Sequence, residues 1–336
     1  MPRETIRPSH PLARIGGDRP VTGEDHSCDP MQYLEELSNA GRWGDDDVLG
    51  TLNFVTPEVR ASAAALVRDG LSIGCSFPIP ASSALNRHGP MQRFMVMMPK
   101  DFGARARAAE IAETVILGTH GFWVTHVDSP NHLFWDGTSY NGIDASSVTA
   151  FGGAPVGDIS AVADGIVSRG VLLDVADLLG VECLEPGHTV TPEQLEQAEE
   201  RQGVRVRSGD VVLLRTGYGA KYRAAAAAGR TLEYSDGIAG WHPRCLPWLH
   251  EREAALIGTD GSHDPEPSGF EHIRGLRAGI HFVALSRMGL WLMDWCNLEE
   301  LSHACNRLSR YEFLITVGTL RLTGCSATPV QPIALF

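Results

Sequence analysis

The sequence predicts an α/β protein, and three observations carry that prediction. Short aliphatic runs are bounded by turn residues, helices open on Thr-Pro-Glu caps, and strand ends feed loops rich in Asp, His and Ser. The runs at 170–175 (G-V-L-L-D-V) and 209–217 (G-D-V-V-L-L-R-T-G) have the length and branching of buried strands. Thr56-Pro57-Glu58 and Thr191-Pro192-Glu193 place Thr at the N-cap and Pro in the first turn, predicting helices from 56 and from 191 to about Arg201.

Taken in order, residues 1–30 are rich in Arg, Pro, Gly, Asp and His and read as an irregular arm, with a short helix over Met31–Ala40. The arm ends near residue 40, and residues 41–336 form the main domain. The Gly- and Asp-dense stretch 41–54 suggests a structured loop, and Leu71–Pro78 a strand. The Met-rich piece Met91–Met98 reads as a core strand, since Met fills irregular gaps; the alternative is the apolar wall of a substrate pocket. Ala104–Ala112 predicts a short helix. Further strands are expected at 254–258, 290–295 and 313–317, helices over Ala224–Ala228, Arg277–Met288 and Leu298–Leu308, and a closing loop at 324–329. Asp210 and Arg215 fit structural ion pairing or turn roles better than substrate contact.

The stretch His120–Trp135 (H-G-F-W-V-T-H-V-D-S-P-N-H-L-F-W) concentrates the chemistry. Alternate strand side chains share a face, so His126 and Asp128 project together, offering an imidazole nitrogen and a carboxylate oxygen to one point. Zn²⁺ and Mn²⁺ accept that donor pair. Pro130 ends the run, and the bend presents His132 as a candidate acid/base. The bland reading is a set of satisfied core histidines, but a buried His/Asp cluster between apolar flanks is costly unless every member is hydrogen-bonded. Phe122, Trp123, Phe134 and Trp135 would line an apolar pocket. Asp294, set among Trp, Leu and Met, likewise demands a cation or several donors. Asp260, His263 and Asp264 form a further cluster, read either as loop hydrogen bonding or as the edge of a pocket or second ion site.

A net charge of −13 and the absence of any basic cluster argue against nucleic acid or an anionic membrane as partner. Seven scattered cysteines without C-x-x-C pairs fit a reducing, cytoplasmic setting, and no apolar leader or membrane span is visible. A small-molecule substrate is the expected partner.

The pattern T-H-x-D-x-P-x-H at Thr125, His126, Asp128, Pro130 and His132 resembles the metal-dependent cyclase family, which includes kynurenine formamidase, isatin hydrolase and trans-dienelactone hydrolase. The stretches G-R-W-G-D-D-D-V-L-G-T-L-N, R-G-V-L-L-D, G-T-D-G-S-H-D-P-E-P-S and S-A-T-P-V-Q-P-I-A look like its longer members, so the likeness covers about residues 40 to 336. It implies a swivelling β/β/α-type single domain, a mixed sheet or half-barrel with flanking helices, in a homodimer or homotetramer. It implies a divalent ion, Mn²⁺ or Zn²⁺, held by His126 and Asp128 and completed by Asp294, with His132 as general base and His281 as a second catalytic histidine. Shorter members carry H-x-G-T-H where this chain has Phe122 in the first place, and His120 is the nearest substitute; a second ion is possible. The expected reaction is hydrolysis of an amide, lactam or lactone bond in a small cyclic or N-acyl substrate. The alternatives are metal-dependent cyclisation or dehydration, and a non-catalytic ligand-binding role on the same scaffold.

Overall fold

Side-chain caps set the first helices. The computed structural model describes residues 29–79, 81, 91–103, 107–120, 124–230, 232, 236–268 and 279–336. The carboxylate of Asp29 accepts from Met31 N to start α1 (Pro30–Glu36), and Thr56 Oγ1 accepts from Val59 N to start α2 (Pro57–Ala64). Four strands follow: β1 (Ser72–Gly74), β2 (Met91–Met97), β3 (Ala112–Leu117) and β4 (His126–Asp128). The chain continues through β5 (Ile166–Asp174), α3 (Val175–Leu178), β6 (Thr189–Val190), α4 (Pro192–Gln202) and β7 (Val211–Arg215). After α5 (Tyr218–Ala227) come β8 (Gly240–Trp241), α6 (Cys245–Glu251), β9 (Leu256–Thr259) and α7 (Gly279–Val283). The last elements are β10 (Trp291–Asp294), α8 (Glu299–Leu308), β11 (Glu312–Val317), β12 (Ala327–Pro329) and β13 (Pro332–Leu335).

Nine strands form one curled mixed sheet in the order β1-β13-β11-β5-β7-β9-β10-β4-β12. Its centre, β5-β7-β9-β10, is parallel, and β4 runs antiparallel beside β10. Both faces are covered, as the unbroken aliphatic strands require. Leu173, Leu214, Ile257 and Leu292 pack with Trp241 and Leu285 on one face. Leu172, Leu213, Trp291 and Met293 pack with Val127 and Phe313 on the other. Chain order thus brings the C-terminal ends of the parallel strands together, which is where open α/β sheets place their chemistry.

Several expectations need correction. Met91–Met97 is a strand but no part of the core: it pairs with β3 in a separate two-stranded ribbon, joined by one isolated bridge from Ala81, and its Phe94, Met95 and Val96 stand exposed. Residues 107–111 are not helical, and 104–106 lie outside the described residues, as does the arm over 1–28. Residues 327–329 of the expected closing loop form edge strand β12 against β4. The helix carrying His281 is α7, which runs on into a π-helical turn at Ala284–Met288. Asp210 and Arg215 do serve structural ion pairs. Arg169 Nη2 lies 2.6 Å from Asp210, and Arg215 bridges Asp174 and Glu299 at 2.9 Å each. Among the described residues, no helix is long and apolar enough to cross a membrane.

Candidate metal centre

Strand β4 delivers His126 and Asp128 to the same buried face, as the two-residue period requires. His126 Nδ1–H donates to the Val124 carbonyl at 2.7 Å, which fixes the tautomer and leaves the Nε2 lone pair free. That nitrogen lies 3.6 Å from Asp128 Oδ1, and His120 Nδ1 lies 3.2 Å from the same oxygen without hydrogen-bonding alignment. Oδ1 is buried and makes no hydrogen bond. Burial works to raise the Asp128 pKa, but His132, His126 and His120 outweigh it and hold the carboxyl well below the usual carboxylate range. An ionised oxygen is therefore shut away from water with no aligned hydrogen-bond donor among the described residues, an arrangement that costs several kcal/mol unless a cation meets it.

His132 stands on the 3-10 turn Pro130–His132, where Pro130 breaks the strand. Its Nε2 is 4.0 Å from Asp128 Oδ2, and its ring stacks on His120 at 4.1 Å and 13°. Burial pushes its pKa down to about 4 despite the pull of Asp128, with His120, His281 and His126 adding to the fall. The imidazole is neutral at pH 7, and with its side chain a quarter exposed it can accept a proton from a bound molecule.

A second group sits across the strand pair. Asp294 lies opposite His126 in the β10–β4 register, so the two side chains share a face. Its carboxylate, however, is turned to other partners: Oδ1 is 2.6 Å from His263 Nδ1 and Oδ2 is 3.1 Å from His281 Nε2. His263 Nε2–H donates to the Ile257 carbonyl at 3.3 Å. His281 Nδ1–H donates to Asp264, which also accepts from Ile280 N at 2.8 Å and so caps α7. Burial would lower the His281 pKa, but Asp294 and Asp264 raise it well above the ordinary value. Burial would raise that of Asp294, and His263 and His281 hold it well below.

The donor atoms thus fall into two sets, His120–His126–Asp128 and His263–His281–Asp294, each within 4.8 Å. The expected single set of His126, Asp128 and Asp294 is not among them; Asp294 belongs with His263 and His281. Asp260 takes no place in either set. It accepts from Thr216 N, Thr216 Oγ1 and Gly217 N, a turn-closing role that occupies both oxygens. Phe122 and Trp123 lie outside the described residues. Phe134 is half-buried, and Trp135 meets Phe282 edge to face at 5.5 Å. Asp264 is a site residue to which the sequence reading assigned no definite role. Asp264 followed His263 in the cluster already marked, but only the fold shows that it orients His281, seventeen residues on.

The donor chemistry fits a divalent ion at Asp128. His126 offers a lone pair in a fixed tautomer, Asp128 an orphaned anionic oxygen, and His120 a third nitrogen. An α/β sheet with paired His/Asp donor sets at the ends of its central strands defines a metal-site scaffold. The chain belongs to the putative cyclase family, whose model matches residues 45–264. A solved structure described as a novel cyclase is 27% identical and superposes with a TM-score of 0.80, covering 89% of this chain and 100% of its own. Isatin hydrolase A from Labrenzia aggregata, solved with benzyl benzoate, shares 18% identity at a TM-score of 0.54, over 82% and 96% of the two chains. An isatin hydrolase bound to the product analogue thioisatinate shares 15% at 0.55, over 84% and 99%. These last two likenesses speak for the fold. No curated protein matches the sequence.

Proposed function

We propose that the protein is a metal-dependent hydrolase that cleaves an amide, lactam or lactone bond in a small cyclic or N-acyl substrate, aromatic by preference. The observation that carries this reading is the ionised Asp128 carboxylate, whose Oδ1 is flanked by His126 and His120 without an aligned donor and whose Oδ2 lies 4.0 Å from neutral His132. His126, Asp128 and His120 would hold one divalent ion, Mn²⁺ or Zn²⁺, and His263, His281 and Asp294 could hold a second. Bound there, the ion would polarise a carbonyl and bring the pKa of water toward ~7. His132 Nε2 accepts the proton of the attacking water and returns it to the leaving nitrogen or oxygen, a role worth about 10²–10⁴-fold. His281 has both nitrogens engaged by carboxylates and serves to hold rather than to exchange a proton. The isatin hydrolases of similar fold favour a lactam among the three bond types.

The family's description as a putative cyclase favours one second reading, ring closure or dehydration at the same residues. Product mass separates the two, since hydrolysis adds one water and ring closure does not. Elemental analysis followed by a panel of N-formyl aromatics, isatin-like lactams and dienelactones, with and without chelator, tests the proposal. His126→Ala and Asp128→Ala should lose both metal and turnover. Wild-type rates in either variant would end it.

A further inference from the structure

Among the described residues, five that are not glycine have positive φ: Asp136, Asn141, Glu253, Ser309 and Trp295. The last is the unexpected one, since a bulky side chain at φ 58° is an outlier that persists only where its surroundings over-determine it. Here they do. The indole is 4% exposed and meets Tyr218 edge to face at 5.9 Å, in a buried cluster with Ala225, Leu232 and Ile238. Trp295 N–H donates to the Gly261 carbonyl at 3.0 Å, and the Thr125 hydroxyl donates to the Trp295 carbonyl at 2.6 Å. Phe77 N–H donates to that same hydroxyl at 3.4 Å, which sets its direction. The parallel pairing of β9 and β10 runs forward as far as Gly258 and Met293, and at Trp295 it reverses. Trp295 reaches Gly261, and Cys296 N–H reaches back to the Thr259 carbonyl at 2.9 Å.

Each of these contacts lands beside a donor residue of the candidate centre. Trp295 directly follows Asp294, Gly261 lies two residues before His263, and Thr125 directly precedes His126. Three segments that carry donors (the end of β10, the loop after β9 and the start of β4) therefore meet on the backbone of one residue. A Cβ on Gly261 would stand 3.0 Å from Ile238, so the loop is pressed against the cluster that holds the indole. We propose that Trp295 is a positioning residue of the candidate centre: its left-handed turn, locked by the buried indole, fixes the spacing between the His126 set and the His263 set. That those sets hold ions rests on the metal reading above; the turn itself rests on the hydrogen bonds. A residue that served folding alone would change stability and leave the histidines where they are, and the two roles part on that point.

Two substitutions separate the turn from the ring. Trp295→Gly removes the indole and accepts positive φ without strain, whereas Trp295→Ala removes the same indole and keeps a Cβ that disfavours the turn. The metal-free Ala variant relaxes out of the turn and must be returned to it when an ion binds. Its Zn²⁺ affinity per folded molecule should therefore lie about 5–30-fold below that of the Gly variant, the 1–2 kcal/mol of a left-handed residue taken at 1.4 kcal/mol per tenfold. Thr125→Val removes the hydroxyl at nearly the same volume and should lower Zn²⁺ affinity about 2–10-fold, with Thr125→Ser restoring it. In the metal-free protein, the ring resonances of isotope-labelled His126 and His263 should both differ between the Ala and Gly variants, neither of which carries the indole. Equal Zn²⁺ affinities in Ala and Gly, or coincident histidine resonances, overturn the positioning role however far thermal stability falls. Should Trp295→Ala fail to fold, the Thr125 pair decides, and wild-type affinity in Thr125→Val overturns the role. A wild type that binds no Zn²⁺, with histidine resonances that still part between Ala and Gly, overturns the metal reading and leaves the positioning role standing.

Discussion

Replacing Asp264 by Asn isolates the orientation of His281 from the folding of its helix. In the wild type, Asp264 accepts the His281 Nδ1–H and the Ile280 N–H, so one carboxylate orients the imidazole and caps α7. The amide keeps an oxygen for Ile280 but loses the charge. Its NH2 then faces His281 Nδ1–H, donor against donor, so a charge-assisted hydrogen bond of about 1.5–3 kcal/mol is lost. At about 1.4 kcal/mol per tenfold, that should weaken binding of an ion by His263, His281 and Asp294 by about 10–150-fold. Protons complicate the measurement in a useful way. Asp294 and Asp264 raise the His281 pKa, so metal must displace a proton from Nε2, and wild-type affinity climbs with pH until that proton is gone. The Asp264→Asn change lowers that pKa, so the variant's affinity should climb less steeply as pH rises through the raised His281 pKa, and the deficit should be fullest at the alkaline end. Competition titration of the metal-free protein against a chromophoric chelator reads both quantities. Equal affinity at alkaline pH with parallel slopes would refute the role given to Asp264.

Arg215→Met should take from the buried carboxylates of Asp174 and Glu299 the cation they share, destabilising the fold by about 3–5 kcal/mol while leaving metal content per folded molecule unchanged. An unaltered Tm would count against the ion pair as a structural element. The depressed pKa of His132, about 4 against 6.5, makes a signed prediction for the metal-free protein. The unfolded chain binds a proton that the fold refuses, so this contribution is complete above about pH 6.5 and is lost as pH falls toward about 4, by at most about 3 kcal/mol. Denaturant unfolding should therefore show metal-free His132→Gln losing less stability than wild type between about pH 7 and 4.5; equal losses would mean that the imidazole is not held neutral.

Local rules made much of the fold legible. Thr56 and Thr191 announced α2 and α4, aliphatic runs announced β5 and β7, and the period of a strand placed His126 beside Asp128. What local rules could not supply was adjacency. Met91–Met97 has the composition of a core strand, and only its failure to join the large sheet leaves Phe94 and Val96 in solvent. Residues 327–329 look like a loop by their Thr-Pro, yet β4 needs a partner on its outer edge and takes them. Asp294 was visible as a carboxylate that its apolar neighbours could not satisfy. Its partners come from a loop and a helix far along the chain, and nothing in the spacing of His263, Asp264 and His281 reveals that they meet.

The two donor sets differ in how completely protons can satisfy them, and that difference bears on which one needs an ion. Around Asp294 the oxygens already have partners: His281 carries a raised pKa between two carboxylates, and each oxygen of Asp294 faces an imidazole nitrogen. Around Asp128 they do not. His132 is kept neutral, His126 gives its N–H to a backbone carbonyl, and Oδ1 is left ionised without a donor. Removing a charge from water without compensation costs several kcal/mol, so the Asp128 set gains most from a divalent cation, whereas an ion at the Asp294 set must first displace protons that already neutralise it. A divalent ion would therefore be held more tightly at His126 and Asp128 than at the second set. Occupation of the second set then depends on pH, because its ligands are already serving one another.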